Sequence, residues 1–208
     1  MTREHSKRPY RMTRRAEQQE ETRRRIVESA VALHEALGPA RTPMSAVAEH
    51  AGVRRSTLYR HFPDEAALLA ACTAHWAAQN PVPDIEAWLA IDDPQERLRA
   101  ALEELYAFYE RVEGMVVSVF RDLADPAVAR QFQATRDYLA SGVDVIVSGR
   151  PERGRARRRV HGAIGHALAF WTWHSLVREQ GFTAAEAVEL MCGLVATAGS
   201  RADAAAPA

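Results

Sequence analysis

Positions 54 to 61 read Arg-Arg-Ser-Thr-Leu-Tyr-Arg-His, and every side chain there except Leu58 can donate a hydrogen bond or carry positive charge. On a helix, such residues suit the edges of base pairs and the phosphates beside them. Arg55, near the helix start, can fork onto guanine O6 and N7, a contact worth about 1–3 kcal/mol of discrimination. Thr57 offers a methyl to thymine or a hydroxyl to phosphate. Tyr59, Arg60 and His61 suit phosphates, which set register without reading sequence. Arg54 and Ser56 complete the polar face, and Thr42 and Ser45 open the segment before it. This chemistry is nucleic-acid recognition.

Such a face is useful only if something holds it outward. Leu58 and Phe62 stand at i and i+4 and predict a buried stripe under it. The Ala51-Gly52-Val53 junction supplies a small residue for close helix approach, a glycine for positive φ and an apolar anchor. Thr42 is expected to cap the preceding helix, with Pro43 at its first position and Val47, Ala48 and Ala51 inward. A first helix is expected from near Glu20, with Ile26, Ala30, Leu33 and Leu37 as its apolar stripe and Gly38-Pro39 as its stop. Asp64 is expected to cap a fourth helix that ends at Asn80-Pro81.

The charge distribution agrees. Residues 1–60 hold 13 basic and 7 acidic side chains, whereas the whole chain balances at 27 of each. A basic N-terminal third suits a polyanion.

The stretch Ala51–Leu69, AGVRRSTLYRHFPDEAALL, resembles the TetR family signature, an Ala-Gly-Val turn leading into a Thr-Leu-Tyr recognition helix. The resemblance is strong over residues 20–69, and a weaker one covers Phe170–Val195. It implies a homodimeric repressor with an effector pocket in a C-terminal helical bundle. Two departures stand out: Glu65 occupies a position where the family usually has a phosphate-binding Lys or Arg, and Ser45 replaces a frequent basic residue. Both should weaken phosphate affinity; Lys7, Arg8, Arg11, Arg14, Arg15 and Arg23–Arg25 are expected to compensate from the arm and first helix.

Behind the DNA-reading part, the spacing predicts helices over 94–111, 115–123 and 126–148, with Gly114 as a stop, then a long helix over 155–179 and a last one over 184–198. Aromatic residues crowd this region. They suit a core, and an apolar ligand site lined by Tyr106, Tyr109, Phe120, Trp171 and His174 is expected among them. The last two helices carry apolar residues on more than one side, as a four-helix dimer seam requires, and a palindromic operator would result. The six arginines of 150–159 read as a solvated loop and first helical turn.

The fold class expected is therefore all-α: a three-helix DNA-binding domain with a helix-turn-helix, then a helical ligand-binding and dimerisation bundle. The expected divisions are a disordered basic arm 1–19, the DNA-binding domain 20–65, the bundle 66–200 and a disordered tail 201–208. The chain contains no nucleophile elbow, phosphate loop, dinucleotide fingerprint or metal-ligand spacing, so neither enzymatic activity nor a cofactor or metal is expected. Cys72 and Cys192 sit in apolar helical segments and read as small hydrophobes rather than as a redox sensor or a disulfide. Without a membrane-length apolar run or a leader-like segment, a cytoplasmic, ligand-responsive regulator is the expectation, with double-stranded operator DNA and a small effector as partners. The alternative is a helix-turn-helix protein that binds DNA with no effector.

Overall fold

The apolar stripe from Ile26 to Leu37 lies on a helix longer than its periodicity requires. The computed structural model describes residues 7–200, and in it α1 spans Lys7–Leu37. Helix formation therefore precedes Glu20, and residues 7–19 of the expected disordered arm are helical. Ala, Glu, Gln and Arg hold a helix well without core contacts. Residues 1–6 of that arm, and the expected tail 201–208, lie outside the described residues.

After α1 come a 3-10 turn (Pro39–Arg41), α2 (Met44–His50), α3 (Arg55–His61) and α4 (Glu65–Gln79). A second short turn (Ala87–Ala90) leads to α5 (Pro94–Arg121) and α6 (Pro126–Val147). Next are α7 (Gly154–Ala167), α8 (Phe170–His174), a π turn (Ser175–Glu179) and α9 (Ala184–Ser200). The described residues contain no strand; Val143–Val147, the one β-like run, lies in α6. No described helix is long and apolar enough to cross a membrane.

Two compact units form. One comprises Met1–Pro81 with Gly114–Phe132, and the other Val82–Glu113 with Gln133–Ala208. α4 lies in the same unit as α1, α2 and α3. In the first unit, Ile26, Ala30, Val47, Leu58 and Phe62 form a core that excludes water almost entirely, joined by Leu68 and Cys72 of α4. Burial pushes the Cys72 thiol up to about 12, so it remains protonated.

The end of α1 is fastened by side chains from the last turns of α5. The Ser118 hydroxyl donates to the Glu35 carbonyl (2.6 Å), Arg121 donates to the Leu37 carbonyl (2.8 Å), and the Asp122 carboxylate accepts from the Ala40 amide (3.0 Å). Gly38 (φ 99°) turns the chain here, and a Cβ on it would run into Asp122. Gly114, expected to stop a helix, lies inside α5 instead. A Cβ there would stand 2.9 Å from Glu35 Oε1, the mobile end of an exposed side chain.

In the second unit the long helix expected over 155–179 is broken. Ala169 is extended (φ −72°, ψ 136°), which takes the Ala167 and Leu168 carbonyls out of the helical ladder. Two buried tyrosines of α5 take them up: Tyr106 donates to the Ala167 carbonyl (2.9 Å) and Tyr109 to that of Leu168 (2.7 Å). Thr172 donates back to the His166 carbonyl (2.6 Å). After the break Trp171 of α8 is 47% exposed, whereas Val160 and Ile164 of α7 are buried. Arg150 is likewise not solvated; it is buried and donates to the Pro94 carbonyl (2.9 Å), while Arg155, Arg157 and Arg158 remain exposed.

Two measurements test this packing. Tyr109→Phe leaves the Leu168 carbonyl without its donor, and the urea midpoint should report a loss of about 1–3 kcal/mol. His34, buried at the end of α1, has its imidazole pushed by burial down to about 4 from an ordinary 6.5, against the opposing pull of Asp122. The unfolded chain therefore takes up this proton first as pH falls. Stability should be lost between about pH 6.5 and 4, by about 3 kcal/mol, and His34→Gln should flatten that slope in pH-dependent denaturation.

Candidate nucleic-acid interface

The turn between α2 and α3 is built by backbone. The Val53 amide donates to the Ala48 carbonyl (2.9 Å) and the Gly52 amide to that of Glu49 (3.0 Å), the paired bonds of a Schellman motif. Gly52 sits at φ 63°, the left-handed conformation this motif places at its glycine. Nothing lies within 4 Å of a Cβ built on Gly52, so conformation rather than space selects glycine. Val53 then packs on the N-terminal core, and Leu58 (0% exposed) and Phe62 (1%) seat α3.

With that stripe buried, Arg54, Arg55, Ser56, Tyr59 and Arg60 all emerge exposed on α3 and its N-cap. Thr57 and His61 are half-buried. The His61 Nε2 atom is buried with no hydrogen-bond partner among the described residues. Desolvation, then Arg60 and Arg23, hold its pKa below the ordinary value, so at neutral pH the ring adds no charge to this face. Ser45 is half-buried on α2.

Thr42 departs from expectation. It is buried and its hydroxyl donates to the Gly38 carbonyl (2.8 Å); the N-cap of α2 is Pro43, with no side-chain cap. The short turn at Pro39–Arg41 draws Thr42 inward, a local structure with no periodic signal. Asp64 does cap α4, accepting from the Ala67 amide at 2.7 Å. Glu65 is exposed in the first turn beside it.

Of the first-helix arginines, two are engaged within the protein. The Arg23 guanidinium lies 4.6 Å from the Phe62 ring centre, bracing the C-terminal end of α3. Arg24 bridges Glu21 (2.7 Å) and Glu28 (3.4 Å). Arg25 is exposed, as are Arg14 and Arg15. The fastening of α1 by Ser118, Arg121 and Asp122 was not foreseen, since those partners lie more than 80 positions apart in sequence and no local pattern signals them.

Of the expected ligand-lining residues, Tyr106, Tyr109, Trp171 and His174 belong to one aromatic cluster joined through Phe170. Tyr106 and Tyr109 are buried with both hydroxyls engaged by backbone. Trp171 and His174 stand together on α8, rings 5.2 Å apart, with His174 Nε2 3.7 Å from Glu113 Oε1. Phe120 belongs to the first unit, packed edge-on to Phe132 at 6.0 Å.

A buried α2 joined through a Schellman turn to a polar-faced α3 is a helix-turn-helix, the element that places a recognition helix in the major groove. Residues 26–72 match the bacterial regulatory proteins, tetR family. No curated protein matches the chain. Solved structures share the fold at low identity. A TetR-like transcriptional regulator from Rhodococcus sp. RHA1 is 20% identical, with 84% of this chain and 93% of that one covered and a TM-score of 0.59. The SmeT–triclosan complex is 20% identical (85% and 90% covered, TM-score 0.61). AibR, solved with isovaleryl coenzyme A and operator DNA, is 18% identical (83% and 97% covered, TM-score 0.60). The class defined by the fold is an all-α protein with an N-terminal helix-turn-helix. Residues 26–72 thus carry a segment similar to that of the tetR family, and the chain shares the all-helical fold of these solved structures.

If conformation alone demands glycine at position 52, Gly52→Ala should cost about 1 kcal/mol in denaturant unfolding and Gly52→Val more. Equal stability of all three proteins would exclude that explanation.

Proposed function

We propose that the protein is a homodimeric repressor that reads a palindromic operator through α3 and is released from it by a small apolar or aromatic ligand. The observation that carries the DNA-reading part is the exposed row Arg54, Arg55, Ser56, Tyr59 and Arg60, standing off a fully buried Leu58 and Phe62. Arg55 serves as the base-reading fork and Thr57 as a contact to thymine or phosphate, with Ser45, Tyr59, Arg60 and His61 toward the backbone. Arg14, Arg15 and Arg25 add positive charge along α1, offsetting Glu65 and the uncharged Ser45.

Support for a dimer comes from the second unit. Leu190 (39% exposed) and Leu194 (50%) lie one turn apart on α9, and Trp171 is exposed on α8. No atom lies within 4 Å of a Cβ built on Gly193 between the two leucines, so a partner helix could approach closely. Support for an effector comes from solved relatives of this fold: SmeT with triclosan, and AibR with isovaleryl coenzyme A. In this chain Trp171 and His174 are the surviving candidates for ligand contact. One observation favours the second reading, DNA binding without an effector: Tyr106 and Tyr109 already have their hydroxyls satisfied by the chain itself.

The test is selection of duplexes from a random library by the full chain, followed by gel shift across a salt series. Recovery of a palindrome is expected. Arg55→Ala should cost about 1–3 kcal/mol and relax preference at one base position, whereas Arg60→Ala should lower affinity for all sequences and reduce the salt slope by about 1. Deletion of residues 1–19 should weaken binding, and an unchanged salt slope would remove the arm from the interface. Leu194→Arg should give a monomer by sedimentation. Release of the selected duplex by apolar compounds separates the two readings.

A further inference from the structure

Glu65 is the side chain that groove reading leaves unexplained, since a carboxylate at the start of α4 repels phosphate. It is one wall of a cavity of about 270 Å³ lying wholly within the first unit. Met44, Leu68, Leu69 and Val128 supply the apolar surface, and Glu65 and Asp125 are its carboxylates. Asp125 caps α6 through one oxygen, accepting from the Ala127 amide at 2.7 Å, which leaves its charge in place. Neither carboxylate forms an ion pair among the described residues.

The other titratable groups of the lining settle the sign of the charge. Arg41 also lines the cavity, and its guanidinium pairs with the buried Asp122, 3.8 Å from its Oδ1. His34 lines the cavity, is 6% exposed, and its ring makes no hydrogen bond with any described residue. It is neutral at pH 7, so one of its nitrogens is an acceptor. With Arg41 paired to Asp122, the carboxylates of Glu65 and Asp125 and the imidazole of His34 are the free acceptors over an apolar floor. A ligand that satisfies all of them carries several N–H donors and a positive charge on a compact hydrocarbon body.

We propose that this cavity binds a small organic ammonium ion with an apolar or aromatic body, held by Glu65, Asp125 and His34 over Met44, Leu68, Leu69 and Val128. The site stands apart from any effector site in the C-terminal bundle. Its effect on DNA binding rests on the reading of α3 and the start of α4 as the duplex-facing surface. On that reading, a cation beside Glu65 removes a phosphate-repelling charge, so the bound ion strengthens the hold on DNA instead of releasing it.

The first experiment needs no DNA. The full chain is titrated with 2-phenylethylammonium, with 2-phenylethanol and phenylacetate as neutral and anionic counterparts, by calorimetry and by the NMR signals of the His34 ring. The ammonium ion is expected to bind in the millimolar range or better and to move the His34 signals, and the two counterparts are not. Glu65→Gln should weaken binding roughly tenfold, the loss of a charge-assisted contact. Ala66→Phe, a substitution at an exposed helical position on the rim, should abolish binding with the unfolding midpoint retained. Equal binding of the alcohol, wild-type affinity in both variants, or no binding at millimolar ion overturns the site. In the second experiment the ion is added to protein and selected duplex at constant ionic strength. Tighter binding in the wild type but not in Glu65→Gln is expected, and unchanged or weaker binding overturns the coupling. Failure of the free protein to bind any duplex would instead sink the groove reading and leave the cation titration standing.

Discussion

Burial of Leu58 and Phe62 decides what the rest of the N-terminal unit can do. An α3 of seven residues has too few internal hydrogen bonds to persist alone, and its N-cap makes no side-chain hydrogen bond. It is a helix because two apolar side chains are removed from water on one side and a glycine turn delivers the chain to it on the other. Once that stripe is seated, helical geometry leaves the arginines and Tyr59 no direction but outward. Arg23 adds a brace over the Phe62 ring, so a cation that composition would assign to phosphate is used to hold the reading helix in place.

Polar contacts then fix the positions of elements that apolar packing alone would leave free to slide. At the end of α1, Ser118, Arg121 and Asp122 bond to backbone groups of Glu35, Leu37 and Ala40, groups that a terminating helix and a tight turn leave unpaired. In the second unit, Tyr106 and Tyr109 do the same for the carbonyls released by the break between α7 and α8. In both places an irregularity in one helix is matched by donors or acceptors at or just beyond α5. A buried carbonyl without such a donor would carry a desolvation cost of about 1–3 kcal/mol, so break and tyrosines stand or fall together.

The same logic explains which expectations held and which did not. The Gly52 turn, the buried pair Leu58 and Phe62, the Asp64 cap and the stop at Gly38 were all legible, because each is a local rule acting over a few residues. The break at Ala169 was not, since residues 155–179 have unbroken helical periodicity and the donors that permit the break lie on another helix. Gly114 misled for the reverse reason: glycine often stops a helix, but α5 continues through it from Pro94 to Arg121. Thr42 looked like a cap and became a buried hydroxyl, bonded to Gly38 across a turn with no periodic signature. Among the aromatic residues expected to line a site, Tyr106 and Tyr109 are buried and Trp171 is exposed, because helical spacing reports a face and not what lies opposite it.

By itself, the order of residues determined the all-helical class, the helix-turn-helix and its outward chemistry, since these arise from periodicity, one positive φ and the side chains left over after apolar burial. Tertiary structure alone decided where polar groups find partners distant in sequence: the fastening of α1, the broken helix and its two tyrosines, and the cavity that gathers Glu65, Asp125 and His34. Local rules operate over one or two turns of helix, whereas these contacts exist only once chain segments tens of residues apart are brought together.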